Sequence, residues 1–135
     1  MFNCKSVAGA FLVAAISLAP ALAQKVTVVT PYLAQPGTQM FVEGFKAEAD
    51  GMGWDANIVD TAGDVAAVIS RIEDAVTQGV DAIVINVDPE QIAAGLEAAK
   101  EAGIPVIGMD SGASPLLATN VTSNGYAMAA ETSVY

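Results

Sequence analysis

Gln78-Gly79-Val80-Asp81-Ala82-Ile83-Val84-Ile85-Asn86 decides the fold. Gly79 stands where a helix would end in a left-handed turn, and a mainly β-branched run follows before Asn86 closes it. The spacing from a glycine to a polar residue seven positions later recurs from Gly53 to Asp60 and from Gly103 to Asp110. Asn57-Ile58-Val59 and Pro105-Val106-Ile107-Gly108-Met109 supply the apolar runs there, and Lys25-Val26-Thr27-Val28-Val29 is a fourth segment of the kind. Near-continuous apolar strands are covered on both faces, the mark of a parallel sheet.

Helical periodicity fills the intervals. Phe41, Phe45, Ala49 and Met52 form one apolar stripe; Val65, Ile69, Ile72 and Val76 form a second; Ile92, Leu96 and Ala99 form a third. Asp88-Pro89-Glu90-Gln91 predicts an N-cap acid, a proline at the first helical position and a reciprocal capping side chain. Gly79 and Gly103 fit the C′ position of helices. Leu117 to Val121 reads as a shorter fifth strand and Tyr126 to Thr132 as a last helix. The order βαβαβαββα with short connections predicts an α/β fold, a doubly wound parallel sheet with helices on both faces and right-handed crossovers.

The chain has 135 residues, 53% of them apolar and 15% charged, which is material for one core and too little for two full domains. Residues 1–23 read as a secretory signal peptide. Lys5 precedes an uncharged run from Val7 to Leu18, Pro20 breaks it, and Ala21-Leu22-Ala23 offers small residues for cleavage before Gln24. The run is shorter than the roughly 20 residues a bilayer span needs. The single cysteine, Cys4, lies inside this leader, and the sequence has no histidine. A mature chain therefore has no disulfide, thiolate or imidazole, which excludes Ser-His-Asp and Cys-His catalysis and histidine-ligated metals. From Gln24 onward, Lys25, Lys46, Arg71 and Lys100 face fifteen acidic residues, a formal charge of −11. Such a surface repels phosphate backbones and excludes nucleic acid as a partner.

In an open α/β sheet, ligands gather at the carboxyl ends of the strands, near the point where strand order reverses. The candidates are the residues that end the strands: Thr30-Pro31-Tyr32, Asp60-Thr61, Asn86, Asp110-Ser111 and Ser123-Asn124. Carboxylate, amide and hydroxyl groups together suit neutral polyols, because the carboxylate accepts several O–H bonds and the amide can donate. Asp88 and Asp64 are expected to be helix caps. Asp60 fits a turn and a site equally well. Asp110 is read as functional, because Ser111-Gly112-Ala113-Ser114-Pro115 starts no helix to be capped. Phe41 fits the core stripe, whereas Tyr32 in its loop is the ring available to stack on a sugar.

Nucleotide chemistry fails on specific positions. Thr30 to Gly37 holds one glycine where a dinucleotide turn needs three, and no phosphate-binding P-loop occurs. Thr30-Pro31 and Asn86 stand where a phospho-acceptor receiver domain would carry acids. Calcium loops are absent as well. No cofactor is expected.

Gly44-Phe45-Lys46-Ala47-Glu48-Ala49-Asp50, Gln78 to Asn86, Ala102 to Asp110 and Ser123-Asn124-Gly125 follow one another at a spacing that resembles the ribose-type periplasmic sugar-binding proteins of ABC importers. That family shares its fold with the effector domain of LacI-type repressors; the leader favours the importer branch. The resemblance implies a periplasmic, non-enzymatic solute-binding component that hands a sugar or polyol to a membrane permease. Asp110 would be the carboxylate that takes bonds from sugar hydroxyls, and Asn124 the hinge residue facing the cleft. Gln35-Pro36-Gly37-Thr38 occupies the place of a segment that carries two stacking aromatics in the family, and Ser111 stands where an arginine is common, which puts ribose itself in doubt. The site expected from residues and resemblance together is Asp110, Asn124, Tyr32, Gln35, Thr38, Asp60, Asn86 and Ser111.

The resemblance also implies a division. Residues 24–123 would be the N-terminal lobe of a two-lobed protein, and 124–135 a hinge crossing and the start of a second lobe. The chain is then expected to be a truncated form, whose last helix, with Tyr126 and Met128 uncovered, would dimerise or fray. A sensory module presenting one lobe to a membrane receptor is the alternative. An enzyme working through Asp60 and Asp110 is a weaker third reading.

Overall fold

The computed structural model of the chain describes residues 23–122. Most of the expected leader, Asn124, expected as a hinge residue, and the helix expected from Tyr126 to Thr132 lie outside the described residues. Five strands form one parallel sheet: β1 (Lys25–Thr30), β2 (Asp55–Asp60), β3 (Ala82–Ile85), β4 (Val106–Met109) and β5 (Thr119–Val121). Three α-helices connect them: α1 (Pro36–Gly51), α2 (Val65–Gln78) and α3 (Ala93–Glu101), the last preceded by a 3₁₀ turn at Pro89–Ile92. The spatial order is β2-β1-β3-β4-β5. The chain therefore steps outward from β1 to β2 and returns to the other side of β1 for β3, so the order reverses between β1 and β3.

Alternation along the strands divides the core into two layers. Val26, Val28, Val84 and Met109 face α1 and pack with Val42, Phe45 and Trp54. Val29, Ile83, Ile85 and Val106 face the other way, against Val68, Ile72 and Ala75 of α2 and Leu96 and Ala99 of α3. Helices thus cover both faces, as the near-continuous apolar strands require.

The local signals act as their chemistry dictates. Asp64 caps α2, its side chain accepting from Ala67 N at 3.0 Å. Gly79 ends that helix at φ 65°, ψ 49°, and Gly103 follows α3 at φ 74°. Asp88 caps the 3₁₀ turn by accepting from Glu90 N at 3.0 Å. Gln91 contributes its backbone N–H to Asp88 O at 3.1 Å, not the reciprocal side-chain bond expected of it, because the first turn is wound as 3₁₀ and not as α.

Two boundaries differ from the sequence reading. The buried residues of α1 are Val42 and Ala49, with Phe45 partly buried, so Phe45 and Ala49 lie on the core side as expected while Val42 takes the place of Phe41, a turn of the stripe by less than one residue. Phe41 and Met52, expected in the core, are 41% and 56% exposed. The fifth strand begins near Ala118, whose N–H donates to Val106 O at 2.8 Å; Leu116 and Leu117 pack instead against the α2–α3 layer.

Candidate functional site

Thr30 ends β1 fully buried, and its Oγ1 accepts from Tyr32 N at 3.0 Å, which turns the chain off the sheet. Gln35 N then donates to Tyr32 O at 2.9 Å, and Gln39 N to Gln35 O at 3.0 Å begins α1. Pro36 suits the first helical position, where no N–H is needed. Gln35 makes no side-chain capping bond. The turn brings the first turn of α1, with Gly37 and Thr38, over the carboxyl ends of β1, β3 and β4.

A cavity of about 350 Å³ opens there. Its polar wall is made by Tyr32, Gln35, Thr38, Asn86 and Asp110, and its apolar wall by Gly37, Phe41 and Met109. It lies at the point where strand order reverses, the place in such sheets where ligands collect. A Cβ at Gly37 would meet nothing within 4 Å, so this side of the cavity is open.

Asn86 is the least satisfied group in it. Its Nδ2 donates to Thr38 Oγ1 at 3.3 Å, while its Oδ1 is buried without a hydrogen-bond partner. Turning the amide over exchanges the two ends, so in either orientation one amide group calls for a partner. A buried polar group left unpaired costs about 1–3 kcal/mol, which a ligand hydroxyl in the cavity would recover. Asp110 adds a carboxylate. It stands at φ 49°, a left-handed conformation uncommon for a residue with a side chain, and its N–H donates to Val121 O at 2.7 Å. Among the described residues, no lysine or arginine lines the cavity. The chemistry offered is hydroxyl-accepting, with two rings and a thioether beside it.

Of the eight residues expected in the site, the cavity brings together Tyr32, Gln35, Thr38, Asn86 and Asp110. Asp60 lies elsewhere: β2 is an edge strand, its carboxylate accepts from Ala62 N at 2.9 Å, and it borders a separate recess with Arg71 and Asp74. Ser111 is 5% exposed and turned toward β5, where its Oγ donates to Asn120 Oδ1 at 3.1 Å. Asn124 lies outside the described residues. Phe41 and Met109 line the cavity without having been expected there. Met109 could have been found from the alternation of β4, which directs it to the α1 face just before the strand ends.

The ribose import binding protein of Bacillus subtilis is 38% identical over 72 residues, which cover 53% of this chain and 24% of that protein. An ABC transporter solute-binding protein from Mycobacterium smegmatis, solved with bound glycerol, is 29% identical with a TM-score of 0.68, covering 73% of this chain and 35% of that one. A solute-binding protein from Clostridium phytofermentans with bound β-D-glucose shares the fold at a TM-score of 0.73 and 21% identity, over 83% of this chain and 36% of that one. The chain thus spans about a quarter to just over a third of the length of these relatives. Residues 26–132 match the periplasmic binding protein domain, and by that match, which takes in well over half its length, the chain belongs to this family.

Proposed function

We propose that this chain forms one wall of the sugar- or polyol-binding cleft in the solute-binding component of an ABC carbohydrate importer. The carrying observation is the cavity at the reversal of strand order, where the buried Asn86 Oδ1 has no hydrogen-bond partner and calls for a hydroxyl donor. Tyr32 and Phe41 offer ring faces to the C–H face of a sugar. Among the described residues the lining offers hydroxyl, amide and carboxylate groups and no lysine or arginine, which favours neutral ligands over sugar acids and phosphates. The relatives' bound glycerol and β-D-glucose are neutral polyols, which agrees with this reading. The role is binding and delivery to a membrane permease, not turnover. It would be exercised in the periplasm, after cleavage of the leader behind Ala23.

One wall supplies part of the contacts and leaves them wet. A two-walled clamp with micromolar affinity gains about 8 kcal/mol, and half of that corresponds to a millimolar dissociation constant. The test is isothermal titration of the chain with glycerol, D-ribose, D-glucose and allitol. Millimolar, saturable binding to at least one of them, weakened by Asp110→Asn, is expected. Absence of saturable binding to every member would overturn the sugar reading. Micromolar binding would overturn the one-wall reading.

A further inference from the structure

Met109 and Asp110 are consecutive, yet both line the cavity. In an extended strand, successive side chains point to opposite faces of the sheet, so a regular continuation of β4 would carry the Asp110 carboxylate away from Met109. Asp110 stands at φ 49°, and a left-handed residue breaks that alternation, which accounts for both residues lining the cavity. A non-glycine residue holds such a conformation only where its surroundings impose it.

The surroundings that do so lie outside the cavity. Asn120 of β5 accepts at Oδ1 from Ser111 Oγ at 3.1 Å and from Ser111 N at 3.4 Å. Its Nδ2 donates to Ser111 O at 3.1 Å and to Gly112 O at 3.4 Å. Two donors and two acceptor sites of one amide are thereby all engaged. The amide fits only because residue 108 is glycine: a Cβ there would stand 2.6 Å from Asn120 Oδ1 and would also strike Ser111 Oγ. Together with the bond from Asp110 N to Val121 O, this clasp fixes the backbone on both sides of Asp110 to β5.

We propose that Asn120 is a positioning residue of the binding site, which with Ser111 holds Asp110 in the left-handed conformation that directs its carboxylate into the cavity beside Met109. The backbone part stands on geometry; its consequence for affinity rests on the sugar reading given above.

The full chain, labelled with ¹³C and ¹⁵N, tests both parts. In Asn120→Ala, the Asp110 Cα and Cβ shifts and its amide–Hα coupling should move from left-handed toward extended values, while the shifts of β1 and β3 stay in place. Ser111→Ala removes the hydroxyl alone and should move them less in the same direction; it decides the matter if Asn120→Ala does not fold. A merely structural role would lower stability without changing the conformation at Asp110. Titration with D-glucose and allitol should show affinity about tenfold weaker in Asn120→Ala. That loss should be nearly absent when Asp110→Asn is already present, because the two act as one unit. Left-handed shifts at Asp110 in both variants would overturn the proposal, as would equal affinity losses with and without Asp110→Asn. A wild-type chain that binds no sugar would overturn the functional reading instead, and the shift measurement would still decide the clasp.

Discussion

Asn86 and Thr38, forty-eight residues apart, are joined by a side-chain bond of 3.3 Å that ties the end of β3 to the first turn of α1. The bond fixes one end of an amide whose other end is buried without a partner. The cavity therefore depends on a contact between two elements that are distant in sequence.

Thr38→Val removes the acceptor while keeping the side chain's shape. The Asn86 amide then loses the one partner seen for it, and the fold should lose about 1–2 kcal/mol. Urea denaturation should show a lower midpoint with an unchanged slope, since the surface exposed on unfolding stays the same. An unchanged midpoint would mean that water satisfies the amide equally well.

Glycine substitutions should separate backbone conformation from space. Gly79 has φ 65° and a hypothetical Cβ there meets nothing within 4 Å, so Gly79→Ala tests conformation alone and should destabilise by about 1–2 kcal/mol. Gly44, inside α1, is equally open but lies in helical backbone. Gly44→Ala should stabilise by about 0.5–1 kcal/mol. Thermal melts of the two variants should shift in opposite directions.

Gly108→Ala tests space. Its Cβ would stand 2.6 Å from Asn120 Oδ1 and 2.9 Å from a Leu117 methyl, so neighbours must move. A loss of about 1–3 kcal/mol is expected from such overpacking, measured by chemical denaturation.

The two capping acids should differ in their tolerance of change. Asp64→Ala removes the acceptor for Ala67 N and should cost about 1 kcal/mol. Asp88→Asn retains an oxygen for Glu90 N and should leave the denaturation midpoint almost unchanged.

The strands, the end of α2 at Gly79 and the cap at Asp64 were legible in sequence because each is a local preference: β-branched runs, a left-handed glycine, an acid before a helix. The facing of α1 was less so. Phe41 and Phe45 are larger apolar groups than Val42, yet the helix starts beside a cavity that keeps one ring at its mouth. Site membership followed the same division. Tyr32, Asn86 and Asp110 were reached by looking at strand ends, and Gln35 and Thr38 through the family resemblance. Asp60 ends a strand too, but strand order, which no local signal states, puts β2 at the edge and its carboxylate outside the cavity. The opposite orientations of Asp110 and Ser111 turn on one dihedral angle that Asp-Ser-Gly leaves open.

The parallel order β2-β1-β3-β4-β5 has a consequence for how the chain acquires its activity. Apart from β4 and β5, which follow one another through residues 110–118, each parallel neighbour is reached only after an excursion through a helix, so chain entropy delays these pairings relative to the helices themselves. The cavity draws on the ends of β1, β3 and β4 at once, and no two adjacent elements can form it. Recognition would therefore arise as one of the last events of folding, with helical chains still blind to ligand. Protection of newly made chain from protease by a bound polyol would then report completion of the sheet, not its beginning.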